Sequence, residues 1–226
     1  MLKRLLLCLT LLPACAGAQE DADWLAYRDA YRDMIWFEKY GKPKQFLQNH
    51  LRLRPRDSSV AMDGLRLTLN SKAGRLALPL DALGRAVFPF SKAAYDDNAE
   101  LGLNRQPGQI TAGAWVSIVT RPDGVYATAD LHAACEQLLA YLRSTGGATG
   151  KRCAGVRFSY ARTDAAQVRY QDAGGAALPL AAKEGPAFPG DAVTSLRIFA
   201  YRFPAQADGG YVLTSSTPLA IAALLE

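Results

Sequence analysis

The chain has 226 residues, 50% hydrophobic and 21% charged, with 26 Lys and Arg against 21 Asp and Glu for a formal net charge of +5. That balance excludes a disordered polar chain and supplies core material for one large domain or two small ones. It names no chemistry by itself.

Residues 1–18 have the layout of a secretory signal peptide: Lys3 and Arg4, an apolar run from Leu5 to Leu12, and Ala16-Gly17-Ala18 as a cleavage site. Cleavage near Ala18 would release a chain from Gln19 to Glu226, lower the formal charge to +3 and place the protein in the periplasm or outside the cell. Nucleic acid is not expected as a partner there. Leu12-Pro13-Ala14-Cys15 offers a competing lipoprotein reading through Cys15, to which Pro13 is a poor fit. The apolar run falls short of the roughly 20 residues that span a bilayer. No transmembrane span is expected in the mature chain.

Helical spacing runs from Asp21 to Tyr40, with Trp24, Tyr27, Tyr31, Met34, Ile35 and Glu38 on one face, Asp21 or Asp23 as cap and Gly41 with Pro43 as stop. Trp36 and Tyr40 project away from that stripe beside Asp29, Arg32 and Asp33. An aromatic pair on a polar face is a candidate partner-binding anchor. Burial of both helix faces between two modules is the alternative.

Downstream, Arg52, Arg54 and Arg56 alternate with Leu51, Leu53 and Pro55, so a strand here sets three guanidinium groups on one face, near Lys42 and Lys44. Such a row suits lipopolysaccharide phosphates, an acidic glycan or an acidic envelope protein. A solvated face or edge protection explains the same pattern. Period-2 alternation also predicts strands at His50–Arg54, Leu65–Leu69, Val156–Tyr160 and Leu196–Tyr201, with Pro, Gly, Asn and Asp between them. Strands with one polar face fit antiparallel sheets.

A second helix is predicted over Ala129–Arg143, with Leu131, Cys135, Leu138, Leu139 and Leu142 as its stripe, Thr128 or Asp130 as cap and Gly146-Gly147 as stop. Cys8 and Cys15 would leave with the signal peptide. The remaining pair, Cys135 and Cys153, reads as one disulfide stapling this helix to the next strand.

Two segments look repeated. Gly64–Leu69 matches Gly155–Tyr160, and Leu78-Pro79-Leu80 followed by Phe88-Pro89 matches Leu178-Pro179-Leu180 followed by Phe188-Pro189. The expected fold class is therefore α+β, mostly antiparallel, with two β-sandwich-like modules related by a weak internal repeat, each preceded by a helix. The expected division is 1–18 signal peptide, 19–123 first module and 124–226 second module with the disulfide. The strand, turn, Leu-Pro-Leu, Gly and proline pattern, over about 25 residues per copy, resembles transthyretin-like or carboxypeptidase-regulatory-like β-sandwich modules. That resemblance implies a fold class and no site residues.

Catalytic signals are thin. His50 and His132 have no companion at metal-ligand spacing, Gly-x-Ser-x-Gly is absent, and Asp96, Asp97, Asn98 and Glu100 lack the spacing of a calcium loop. No catalytic residue, metal or cofactor is expected. The functional expectation is an exported, non-catalytic binding or accessory protein of the cell envelope, acting through Trp36, Tyr40, Arg52, Arg54 and Arg56. The alternatives are an envelope hydrolase of glycan or peptide, and a periplasmic assembly chaperone, whose family this chain resembles in size and basic character.

Overall fold

The computed structural model describes residues 22–226 apart from 58, 107, 192–194 and 206–208; the expected signal peptide, its cleavage site and Cys15 lie outside the described residues. The protein is α+β and mostly antiparallel, with 39% strand, 18% helix and three helices among the described residues.

In chain order the first elements are β1 (Ala22–Ala26), α1 (Tyr27–Lys39), β2 (Leu47–Pro55), β3 (Leu67–Ser71), β4 (Gly74–Leu78), β5 (Arg85–Ala86), α2 (Lys92–Asp96), β6 (Glu100–Leu103) and β7 (Ile110–Ile118). There follow β8 (Val125–Ala127), α3 (Thr128–Ser144), β9 (Cys153–Tyr160), β10 (Val168–Gln171), β11 (Ala177–Pro179), β12 (Ala182–Gly185), β13 (Leu196–Arg202), β14 (Tyr211–Thr214) and β15 (Ala220–Leu225). They form a central seven-stranded sheet, ordered β12-β13-β9-β15-β7-β2-β5, and two four-stranded sheets, β1-β6-β3-β4 and β11-β10-β14-β8. The central sheet draws strands from both sides of residue 123. Gly64–Leu69 leads into β3 of a four-stranded sheet, whereas Gly155–Tyr160 belongs to β9 of the central sheet, so this part of the sequence match joins strands from different sheets.

Strand alternation gives the central sheet two faces of different chemistry. On β2, Leu47, Leu51 and Leu53 point into apolar cores, while His50, Arg52 and Arg54 point the other way. One core gathers α3, β9 and β10 around Phe158, Tyr160 and Val212; the other gathers α1, β3 and β6 around Tyr27, Leu67 and Leu101. A small third cluster, Ala187, Phe188, Ala220 and Ala222, with Trp115 packed against it, covers part of the polar face.

The start of the first helix differs from the sequence expectation. Residues 22–26 form β1, which pairs antiparallel with β6 from Ala22↔Leu103 to Ala26↔Glu100, and α1 begins at Tyr27 with no side-chain cap. Ladder bonds to a strand some 75 residues away override local capping, which single-sequence periodicity cannot register. Tyr27 is fully buried; its hydroxyl donates to the Pro89 carbonyl at 2.5 Å and accepts from the Ser91 amide at 2.8 Å, pinning the helix start. The second helix is one residue longer at each end than expected. Its N-terminus carries no side-chain cap; the Thr128 hydroxyl donates instead to the Gly210 carbonyl at 3.1 Å.

Cys135 on α3 is bonded to Cys153 at the start of β9, with Cα atoms 6.0 Å apart. The bond ties the helix to the strand beneath it, and Cys135 is fully buried in the core they share. Closing a loop of this size contributes about 3 kcal/mol in the chain-entropy account. Replacing both cysteines by serine is expected to lower the free energy of unfolding by about that amount, read from a urea titration whose slope rises because the uncrosslinked chain exposes more surface on unfolding.

Candidate binding cleft and arginine face

The seven-stranded sheet is nearly split in two. β2 and β7 pair over nine consecutive positions, from Leu47↔Ile118 to Pro55↔Ile110, and β9 and β15 pair along most of their length. Between β7 and β15 the only register pair is Ile118↔Ile221. Beyond that pair the outer edge of β7 over residues 112–116, and that of β15 over 223–225, have no ladder partner among the described residues. The gap is a cleft of about 620 Å³. Its helix side is formed by Trp36 of α1 and by Leu138 and Leu142 of α3, and its far side by Trp115, Phe188 and Pro189. Among the described residues Asp33 is its only carboxylate, and no Arg or Lys lines it.

The two aromatic residues singled out on α1 have different environments. Trp36 is 68% exposed and stands on the cleft wall. Tyr40, which caps the C-terminus of α1, is half-buried and packs edge-on against Tyr141 of α3 at 5.2 Å, beside Phe37. Tyr40 thus links the helices, and its hydroxyl is buried without a hydrogen-bond partner.

The arginine row is not uniformly solvated. Arg54 and Arg56 are exposed, but Arg52 is only 5% exposed. Its Nη2 donates to Asp191 Oδ2 at 2.8 Å, and its guanidinium lies 4.6 Å from the ring centres of both Trp115 and Phe188. Asp191, 139 residues away in sequence, also accepts from the Phe188 amide at 3.1 Å, so one carboxylate shapes the turn and neutralises the arginine. Arg85, the register neighbour of Arg52, is also buried; it bonds Asp81 through Nε at 2.7 Å and the Leu219 carbonyl through Nη2. The turn that delivers it needs Gly84: φ is +71°, and a Cβ there would sit 2.7 Å from the Leu53 carbonyl oxygen.

This face is donor-rich. Arg52 Nη1, Arg85 Nη1, two nitrogens of Arg157 and Trp115 Nε1 are buried without hydrogen-bond partners, as are Ser159 Oγ and Asp191 Oδ1. Burial holds the Arg157 pKa below its ordinary value, with Asp191 pulling it back up. Burial, then the charge of Arg85, pushes the His50 imidazole below 6.5, against an opposing pull from Asp81.

The remaining polar candidates are engaged elsewhere. His132 is exposed and lies tilted against Phe203, with ring centres 4.9 Å apart. Asp96 pairs with Lys92, and Asp97 with Lys72 at 3.2 Å. No group of three or more metal-ligating side chains occurs among the described residues. Asp63 and Asp81 line one shallow pocket, but Asp81 is occupied by the Leu83 and Arg85 amides and the Arg85 guanidinium. No helix among the described residues is long and apolar enough to cross a membrane.

Comparison with known proteins finds no matching family model, no matching curated protein and no matching solved structure.

Two outcomes follow from the buried charges. Asp191→Ala leaves Arg52 buried and unpaired, and is expected to cost about 3–5 kcal/mol in a denaturant titration. The fold favours neutral His50, so its contribution is fully present above pH 6.5 and is lost as the pH falls through the depressed folded-state pKa. A stability profile from pH 8 to 5 is therefore expected to decline below 6.5, with a shallower decline in His50→Gln.

Proposed function

We propose that this is a non-catalytic binding protein of the cell envelope that takes an extended segment of a partner protein into the cleft between β7 and β15. The observation that carries the reading is the pair of open strand edges, which pair over a single residue and then part. An extended backbone supplies the donors and acceptors that such edges lack, and its alternating side chains would meet apolar walls on both faces of the sheet. Trp36 is the exposed aromatic anchor on the wall.

The finer architecture belongs to the same proposal. The four-stranded sheets run β1-β6-β3-β4 and β8-β14-β10-β11, each with a helix directly after its first-numbered strand. Leu78-Pro79-Leu80 overlaps the end of β4 as Leu178-Pro179-Leu180 overlaps the end of β11, and Phe88-Pro89 follows β5 as Phe188-Pro189 follows β12. These parallels support two sandwich-like modules, 19–123 and 124–226, descended from one unit and joined at Ile118 and Ile221. Export rests on the leader-like residues 1–18 and is compatible with the Cys135–Cys153 bond, which persists in an oxidising compartment.

A hydrolase gains little support from a cleft with a single carboxylate. An assembly chaperone shares the open edge, but its expected Arg and Lys lining is missing from this cleft.

The test is selection of seven-residue peptides from a displayed library on the purified chain, followed by fluorescence anisotropy with the enriched sequences. Peptides with alternating apolar residues are expected, with binding weakened at least tenfold by Trp36→Ala while the melting temperature stays within a few degrees. Tyr40→Ala is expected to lower the melting temperature, whereas Tyr40→Phe, which removes only an unpartnered hydroxyl, leaves it nearly unchanged. Failure to enrich any peptide, or equal binding by Trp36→Ala, would overturn the assignment.

A further inference from the structure

A second concavity lies beside β2, on the polar side of the central sheet. It has a volume of about 460 Å³ and is bordered by Arg52, Arg54, Arg56 and Asp191, with Met62, Leu83 and Leu196 among its apolar residues. Three arginines thus border the pocket against one aspartate, whose carboxylate is already taken by Arg52 and the Phe188 amide. The pocket carries a surplus of two positive charges.

The arrangement is also fixed in place. Arg52 is held by Asp191, by the Leu83 carbonyl at 3.4 Å and by the two rings beside its guanidinium, yet its buried Nη1 has no partner. Arg54 lies 5.1 Å from the Trp115 ring centre. A surplus of donors calls for an acceptor-rich, anionic occupant, and guanidinium forks match tetrahedral oxyanions well.

We propose that this pocket binds a phosphomonoester carried on a small organic body. The net charge of the lining fits a dianion better than a single carboxylate. The volume falls within the range of small-molecule sites and leaves room for more than the phosphate. Met62, Leu83 and Leu196 provide an apolar wall for the rest of the ligand. Arg54 and Arg56 are the exposed arms that contact the phosphate, and Arg52, held by Asp191, lies buried beneath them. The site is separate in residues from the peptide cleft and stands or falls independently of it.

The experiment is titration calorimetry of the full mature chain at low salt and pH 7.5. The probes are a hexose 6-phosphate, inorganic phosphate, the unphosphorylated hexose, and phosphatidylcholine vesicles with and without phosphatidic acid. The variants are Arg54→Gln/Arg56→Gln, which changes exposed side chains only and is checked by its melting curve, and Trp36→Ala. Saturable binding of at least one phosphomonoester probe is expected, weakened tenfold or more in the arginine double variant and unchanged in Trp36→Ala, with no binding of the bare hexose. Binding of the hexose phosphate assigns a soluble ligand, and binding confined to phosphatidic acid vesicles assigns a lipid headgroup. No binding of any phosphate probe, or equal binding by the arginine double variant, would overturn the proposal.

Discussion

Ile118 and Ile221 hold the two halves of the central sheet together by one register pair. Both are buried in the core beneath α3, at 3% and 0% exposure, so the junction is anchored by apolar packing more than by ladder bonds. On one side lie β7, β2 and β5, and on the other β15, β9, β13 and β12. Had the two strands continued in register, the sheet would be closed and its middle filled. Because they part, backbone edges that a central strand normally spends on its neighbours are left facing a cleft, and α1 and α3 become its roof. Tyr40, Phe37 and Tyr141 lock those helices to each other, which keeps the roof at a fixed height above the gap.

The two faces of the same sheet serve different ends. The face toward the helices and the four-stranded sheets is apolar and accounts for both large cores. The opposite face is cationic and short of acceptors, and its burial is tolerated because Asp191 and Asp81 each neutralise one arginine. Trp115 belongs to both stories. One ring lines the cleft and also lies against the guanidinium groups of Arg52 and Arg54.

What was legible in the sequence was local. Period-2 alternation in Leu51, Arg52, Leu53 and Arg54 assigned the faces of β2 correctly, the stripe from Leu131 to Leu142 found α3 within a residue, and the isolated pair Cys135 and Cys153 lies at bonding distance. Trp36 was recognised as standing off the helix stripe, and it is exposed on a cleft wall. What was missed is non-local. Residues 22–26 read as helix because Trp24 and Tyr27 are three apart, and only pairing with β6 makes them a strand. Arg52 read as one of three equivalent surface charges, since nothing near it announces Asp191. Tyr40 read as the companion of Trp36, whereas it packs on a tyrosine some hundred residues downstream. The cleft itself is defined by missing ladder bonds between β7 and β15, a property of two strands' mutual geometry that neither strand's sequence encodes.

Residue-resolved amide hydrogen exchange across β7 tests the split sheet most directly. The amides of residues 112–116 that point away from β2 are predicted to exchange rapidly in the free protein, while their alternating neighbours bonded to β2 exchange slowly, and the amides of β9 stay protected throughout. Uniform slow exchange along 112–116 would mean that both edges of β7 are occupied, and would contradict the open cleft on which the account rests.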